Sequence, residues 1–242
     1  MKSNLFLFST LLVFICSPTQ AQWFKKIKGD GNVITEKRSV ADYEEISVNG
    51  NMDVILVSGE EGNITLKAEK NIIENIELIT KNDRLSIKSK GHVELRPSKG
   101  NDIVITIPVK HVSKLLLNGS GEIEGTFPLK AKNLNLQVNG SGDLEVDLKT
   151  TNLKASINGS GDIKVSGKAD YFEAVINGSG DIDGDKLMAN TCEGKVVGSG
   201  DIKFHAEEKL DAKIVGSGDI QINKTVKNIK TKVVGSGGVN KK

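Results

Sequence analysis

The sequence predicts an all-β fold, a parallel β-helix with a rung of about 19 residues. Three observations carry that prediction. Gly-Ser-Gly recurs with its first glycine at Gly119, Gly140, Gly159, Gly178, Gly198, Gly216 and Gly235, in steps of 21, 19, 19, 20, 18 and 19 residues. Apolar and polar residues alternate on both sides of each tripeptide, which is the period of a strand and not of a helix. A short polar turn closes each unit, as at "KTTN" from Lys149 to Asn152. Units repeating at this interval bury their apolar sides only against one another, so they stack.

Taken in order, residues 1–21 read as a signal peptide. Lys2 supplies the positive start, Leu5 to Ile15 the apolar stretch, and Thr19-Gln20-Ala21 the cleavage site, with the cut expected after Ala21. The apolar stretch is too short to span a bilayer. Cys16 follows Phe14 and Ile15 where a lipidation motif prefers small residues, so a lipoprotein is the weaker reading. Removing the signal takes Lys2 from a net charge of +2, leaving about +1. The cationic residues are scattered and only three are arginine (Arg38, Arg84, Arg96), which argues against nucleic acid as a partner. With Cys16 removed, Cys192 stands alone, and no internal disulfide is expected.

Residues 22–31 are expected to be a mobile lead-in. Residues 32–112 read as an irregular N-terminal β portion of the solenoid, with strands at "EEISVNGNMDVILVS", "NITLKAE", "RLSIKSK" and "NDIVITIPVK". Setting Gly50 beside the later first glycines aligns Ile46, Val48, Val54 and Leu56 with the apolar rows and Asp53 with the later aspartates. It reads as an early, degenerate rung. "NIIENIELI", Asn71 to Ile79, is expected as a short helix.

Residues 113–242 form the regular repeat. Two residues before each first glycine stand Leu117, Val138, Ile157, Ile176, Val196, Ile214 and Val233; four after stand Ile123, Leu144, Ile163, Ile182, Ile202, Ile220 and Val239. A row six residues after is looser, with Val146, Val165, Phe204 and Ile222 interrupted by Gly125 and Gly184. These rows predict the core. Rungs spaced by about 4.8 Å would make seven of them a rod of about 34 Å.

The candidate chemistry is then weighed row by row. A phosphate cradle needs a helix after the glycines, whereas a strand follows each one, so the tripeptide reads as a tight corner with close rung stacking. The aspartate row, Asp143, Asp162, Asp181, Asp201 and Asp219 headed by Glu122, allows calcium between rungs. Its spacing differs from the calcium-binding nonapeptide, and acceptance from turn amides is the preferred reading. Asn118, Asn139, Asn158 and Asn177 predict a ladder of side-chain amides. In the last three rungs this column becomes Val197, Val215 and Val234, facing outward as either plain strand formers or a partner patch. His92, His111 and His205 share no metal spacing, no G-x-S-x-G elbow exists, and Cys192 falls on the inward row as a buried thiol. No catalytic, cofactor-binding or metal residue is assigned.

The segment "VADYEEISVNGNMDVILVSGEEGNITLKAEKNIIENIELITKNDRLSIKSK", then "ITIPVKHVSKLLLNGSGEI" and the Gly-Ser-Gly-Asp ladder, resembles the putative auto-transporter adhesin, head GIN domain family over nearly all of the chain after the signal. The resemblance implies a right-handed β-helix in exported bacterial proteins, mainly of the Bacteroidetes group, and brings no catalytic residues. The sequence reaches "GSGGVNKK" with no translocating barrel behind it, so a complete autotransporter is not expected. The leading expectation is an exported, non-catalytic envelope or surface module, in the periplasm or on the outer surface, that binds an envelope or host-surface protein or glycan. A self-associating structural protein, forming a homo-oligomer through an open solenoid end, is the second reading. A polysaccharide lyase or hydrolase is the third.

Overall fold

The structure is a computed structural model that describes residues 25–223 and 226–242; the expected signal peptide lies outside the described residues. Its elements are β1 (Lys26–Lys28), β2 (Val33–Ser39), β3 (Glu45–Gly50), β4 (Asp53–Ser58), β5 (Asn63–Glu69), α1 (Lys70–Ile73), β6 (Ile76–Lys81), β7 (Arg84–Ser89), β8 (Glu94–Arg96) and β9 (Val104–Val109). The repeat follows as β10 (Lys114–Gly119), β11 (Glu122–Gly125), β12 (Leu129–Gly140), β13 (Asp143–Gly159), β14 (Ile163–Gly178), β15 (Ile182–Gly198), β16 (Ile202–Gly216), β17 (Ile220–Ile222), β18 (Asn228–Gly235) and β19 (Val239–Lys241).

From β10 onward every pairing is parallel and in the register that the spacing predicted. Gly119 pairs with Gly140, Gly140 with Gly159 and Gly159 with Gly178, and the same succession continues through Gly198 and Gly216 to Gly235. The result is a β-solenoid of about 7 turns with about 19 residues between paired positions. Each rung has an arm before the corner and an arm after it, and the inward rows of both arms join one continuous apolar cluster. Leu136, Ile157, Ile163, Ile176, Ile182, Ile202 and Ile214 are all fully buried in it. At about 1.5–3 kcal/mol for each large apolar side chain buried, such rows can hold the fold without disulfides.

At Gly184 in the looser row, and at Gly194 in the row four residues before the corner, glycine stands for a reason of volume. Phe172 and Phe204, both fully buried, meet edge to face with ring centroids 5.2 Å apart. A Cβ on Gly184 would stand 2.7 Å from the Phe172 ring, and one on Gly194 would stand 2.7 Å from the Phe204 ring. Small residues therefore make room for the two large ones. At Gly184 the ladder also slips, with irregularities between Lys164 and Ser166 and between Gly184 and Met188. Those slips coincide with the repeat's one 20-residue and one 18-residue step.

The N-terminal region departs from the expectation of one continuous solenoid. Only β3 and β4 form the early rung, pairing in parallel with β10 and β11 so that Gly119 stacks on Gly50 and Ile123 on Val54. Most of the remainder is an antiparallel cap inserted between β4 and β10. β6 pairs antiparallel with β7, while β5 pairs antiparallel with both β2 and β9. β7 and β9 join this cap to the early rung in parallel. Ile72 and Ile73 of α1 are fully buried. Arg38 donates to the carbonyls of Ile73 and Ile76 at 2.8 and 2.7 Å, tying β2 to the start of β6.

Two local expectations are corrected. The helix expected over Asn71 to Ile79 is a single turn, α1, after which the chain runs extended as β6. One turn closes too few hydrogen bonds to sustain a helix alone, and Ile76 gains both burial and a partner by pairing with Ser89. The stretch expected as a mobile lead-in holds β1, which pairs in parallel with β8. Glu69 anchors it. This carboxylate is 1 % exposed and accepts from the backbone N–H groups of Gly31 and Ser98 and from the Ser98 hydroxyl. The Ser98 hydroxyl, more than any other group, holds the Glu69 pKa below its ordinary value.

Candidate functional site

The Gly-Ser-Gly corners align in a column, and their chemistry is spent inside the solenoid. The first glycines carry φ values from +129° to +143° in the regular rungs, a region open to glycine. At Gly178 a Cβ would lie 2.0 Å from the carbonyl oxygen of Gly159 one rung earlier, and at Gly180 it would lie 1.9 Å from that of Gly161. Ser160 and Gly161 donate their backbone N–H groups to the Gly140 carbonyl at 2.8 and 3.1 Å. Ser141 and Gly142 do the same to Gly119, and Ser179 and Gly180 to Gly159. A phosphate cradle needs such amides pointing at the ligand. Here they point at the neighbouring rung.

The aspartate row is committed in the same way. The backbone N–H of Asp162 donates to Asp143 Oδ1, that of Asp181 to Asp162, that of Asp201 to Asp181 and that of Asp219 to Asp201, at 3.1, 2.8, 2.8 and 2.7 Å. Gly238 completes the series on Asp219. At the head of the row, burial raises the pKa of Asp53, helped by the charge of Asp102, and raises that of Glu122, helped by Asp53. No group of three or more His, Cys, Asp or Glu side chains is placed to hold a metal ion among the described residues.

The asparagine column is an amide ladder. Asn118 donates to Asn49, Asn139 to Asn118, Asn158 to Asn139 and Asn177 to Asn158, at 2.7–3.0 Å. Asn49 starts it one rung earlier than the four-residue row from the sequence, and the "NG" at Asn49-Gly50 was the available signal. Cys192 is buried on the inward row, and burial pushes its thiol up to about 12. No attacking thiolate is available there.

Two adjoining grooves lie where the ladder meets the cap. A groove of about 810 Å³ runs between β3 and the β6–β7 hairpin, lined by Glu45, Asn49, Ile79, Lys81, Arg84 and Lys88 among others. Arg84 closes on Glu45 at 2.6 Å, and Lys88 reaches Glu77 at 3.4 Å. A second groove of about 590 Å³ shares Asn49 and Ser89 with the first and continues past Asn51, Leu95 and Arg96 to the first corner at Gly119 and Ser120. Asn49 and Asn51 brace its walls by donating to the carbonyls of Ile87 and Leu95, both at 3.2 Å. The walls of the first groove are mainly polar and charged, with Ile79 as an exposed apolar contact, while the second adds Met52, Val93, Leu95 and Pro97. Sequence reasoning missed these grooves because they arise from how the inserted cap folds back on the early rung.

A profile of the putative auto-transporter adhesin, head GIN domain family matches residues 42–225. Among solved structures, a putative lipid binding protein from Parabacteroides distasonis is similar, with 27% identity, coverage of 90% of this chain and 100% of its own, and a TM-score of 0.75. A putative adhesin from Bacteroides fragilis has 23% identity, coverage of 89% and 100%, and a TM-score of 0.84. One from Parabacteroides merdae has 23% identity, coverage of 90% and 99%, and a TM-score of 0.72. None of the curated proteins matches the chain. At identities of 23% the likeness speaks for the fold, and the grooves and ladders rest on the geometry above.

Proposed function

The chain belongs to the putative auto-transporter adhesin, head GIN domain family, and from that premise we propose that it is an exported, non-catalytic binding module. It works in the periplasm or on the outer surface, where it holds an envelope or host-surface protein or glycan. One observation carries this reading. The repeat satisfies its own corner amides, aspartates and asparagines, so it is a stiff scaffold, and grooves of about 810 and 590 Å³ lie beside the cap, against about 400 and 230 Å³ for hollows on the repeat. Those walls offer amide and charged groups suited to an extended polar ligand. The groove carboxylate Glu45 is held by Arg84 instead of facing a second acid, which supports binding over glycoside chemistry. The relative described as a lipid binding protein bears only on an external ligand here, because the interior is filled by the apolar rows.

The test is retention of envelope and host-glycan fractions on immobilised residues 22–242, beside the groove variants Lys81→Glu and Ile79→Glu. Capture that both variants lose, with unchanged thermal melts, supports the reading. Equal capture by the variants would move the site off the groove. Release of reducing or unsaturated sugar from any fraction would overturn the non-catalytic assignment.

A further inference from the structure

The outward face of the arms before the corner changes character at one rung, in two columns at once. Immediately before the first glycine, Asn158 pairs with Asn177, and then Asn177 pairs with Val197, Val197 with Val215 and Val215 with Val234. Two residues further back, Ser156 pairs with Val175, and then Val175 pairs with Lys195, Lys195 with Lys213 and Lys213 with Lys232. A valine column and a lysine column thus run side by side over the same three rungs.

Valine suits a strand better than asparagine does, but strand propensity does not account for the lysine column beside it. Asparagine in the valine positions would extend the amide ladder that ends at Asn177, yet Val197, Val215 and Val234 leave 37, 37 and 56 % of their surface in water. The three lysines are exposed, in register, and without an ion-pair partner among the described residues. Like charges directly opposite one another on neighbouring strands destabilise a sheet. The acids in the next column take other partners and make no ion pair with these lysines. Glu193 accepts from the Tyr171 hydroxyl at 2.7 Å, and Asp211 pairs with Lys230 at 3.4 Å.

From this coincidence we infer that the valine–lysine strip on β15, β16 and β18 docks the protein on an anionic lipid bilayer. A lysine column next to an apolar column matches a headgroup plane. The ammonium groups reach lipid phosphates, while the valines and the lysine stems together cover the apolar edge of the headgroup region. A second copy of the chain fits less well, because an identical strip would bring more uncompensated lysines to the interface. The strip lies on the outward side, away from the core, so the protein docks with its fold intact.

The experiment is flotation of residues 22–242, which carry all of the described structure, with vesicles of phosphatidylcholine alone or mixed with phosphatidylglycerol. Binding to the anionic vesicles alone, weakened by salt, is expected. Each lysine near such a surface is worth about five-fold in affinity, so Lys195→Gln, Lys213→Gln and Lys232→Gln together should reduce binding about a hundred-fold. Val197→Asn with Val215→Asn and Val234→Asn should weaken binding while keeping its salt dependence, and their amides continue a ladder that the fold already accepts. Equal binding to neutral vesicles, no binding to either, or full binding by the lysine variant would overturn the inference. Valine-dependent doubling of mass in light scattering, without vesicle binding, would overturn it in favour of self-association. Groove variants are expected to float like wild type, so failure here is separable from failure of the glycan or protein reading.

Discussion

Gly178→Ala isolates the physical reason for the repeated corner. The residue sits at φ +143°, and the added methyl would lie 2.0 Å from the Gly159 carbonyl oxygen. Non-glycine backbone in that region costs about 1–3 kcal/mol. Relieving the clash means moving the rungs apart by more than about 1 Å, since Cβ contacts below 3.0 Å are essentially unknown. That movement breaks the bonds from Ser179 and Gly180 to the same carbonyl, now 2.9 and 3.3 Å long. Each lost bond adds about 0.5–1.5 kcal/mol. The sum is about 2–6 kcal/mol, which for a chain of this size lowers Tm by very roughly 5 to 20 °C. Ser179→Ala is the control, because that side chain is exposed and the substitution should stay within about 0.5 kcal/mol. The assay is thermal unfolding by circular dichroism, with urea midpoints as a second measure. A Gly178→Ala melt matching that of Ser179→Ala would refute the claim that stacking distance and positive φ make glycine necessary here.

Other outcomes follow from the same geometry. Ile163→Asp places a charge on a fully buried row and should destabilise the chain by about 4 kcal/mol or more; a wild-type urea midpoint would contradict the inward register. Cys192, its thiol pushed up to about 12, should resist iodoacetamide at mildly alkaline pH and react on denaturation; labelling of the folded chain at the denatured rate would show the site to be open. Glu69 has a lowered pKa in the fold, so its stabilising contribution is present above the ordinary carboxylate pKa and is lost as pH falls through the folded one. Glu69→Ala should therefore lower stability at neutral pH and flatten the acid limb of a stability–pH curve. An unchanged limb would mean that Glu69 is not the anchor of residues 29–32.

The corners, the inward rows and the asparagine ladder were legible because each repeats at the interval of one rung. Gly140, Ile157 and Asn158 name their own neighbours one unit away, since in-register stacking brings like positions together. The acceptance of turn amides by Asp162 and Asp181 was legible on the same ground. No such periodicity exists between Gly59 and Val112. There the antiparallel pairing of β5 with both β2 and β9 rests on contacts that no local spacing announces, and α1 competes with β6 for one apolar stretch.

What the sequence determined alone is therefore the solenoid itself: its period, its core and the residues that stack. A repeat carries its own contact map, because translation by one rung superposes chemically equivalent groups. The cap, the grooves where it meets Asn49 and Asn51, and the burial of Glu69 were decided only in three dimensions. Each depends on where a non-repeating segment comes to rest against the first rung, and that resting place is set by packing between residues distant along the chain, as between Gly31, Glu69 and Ser98.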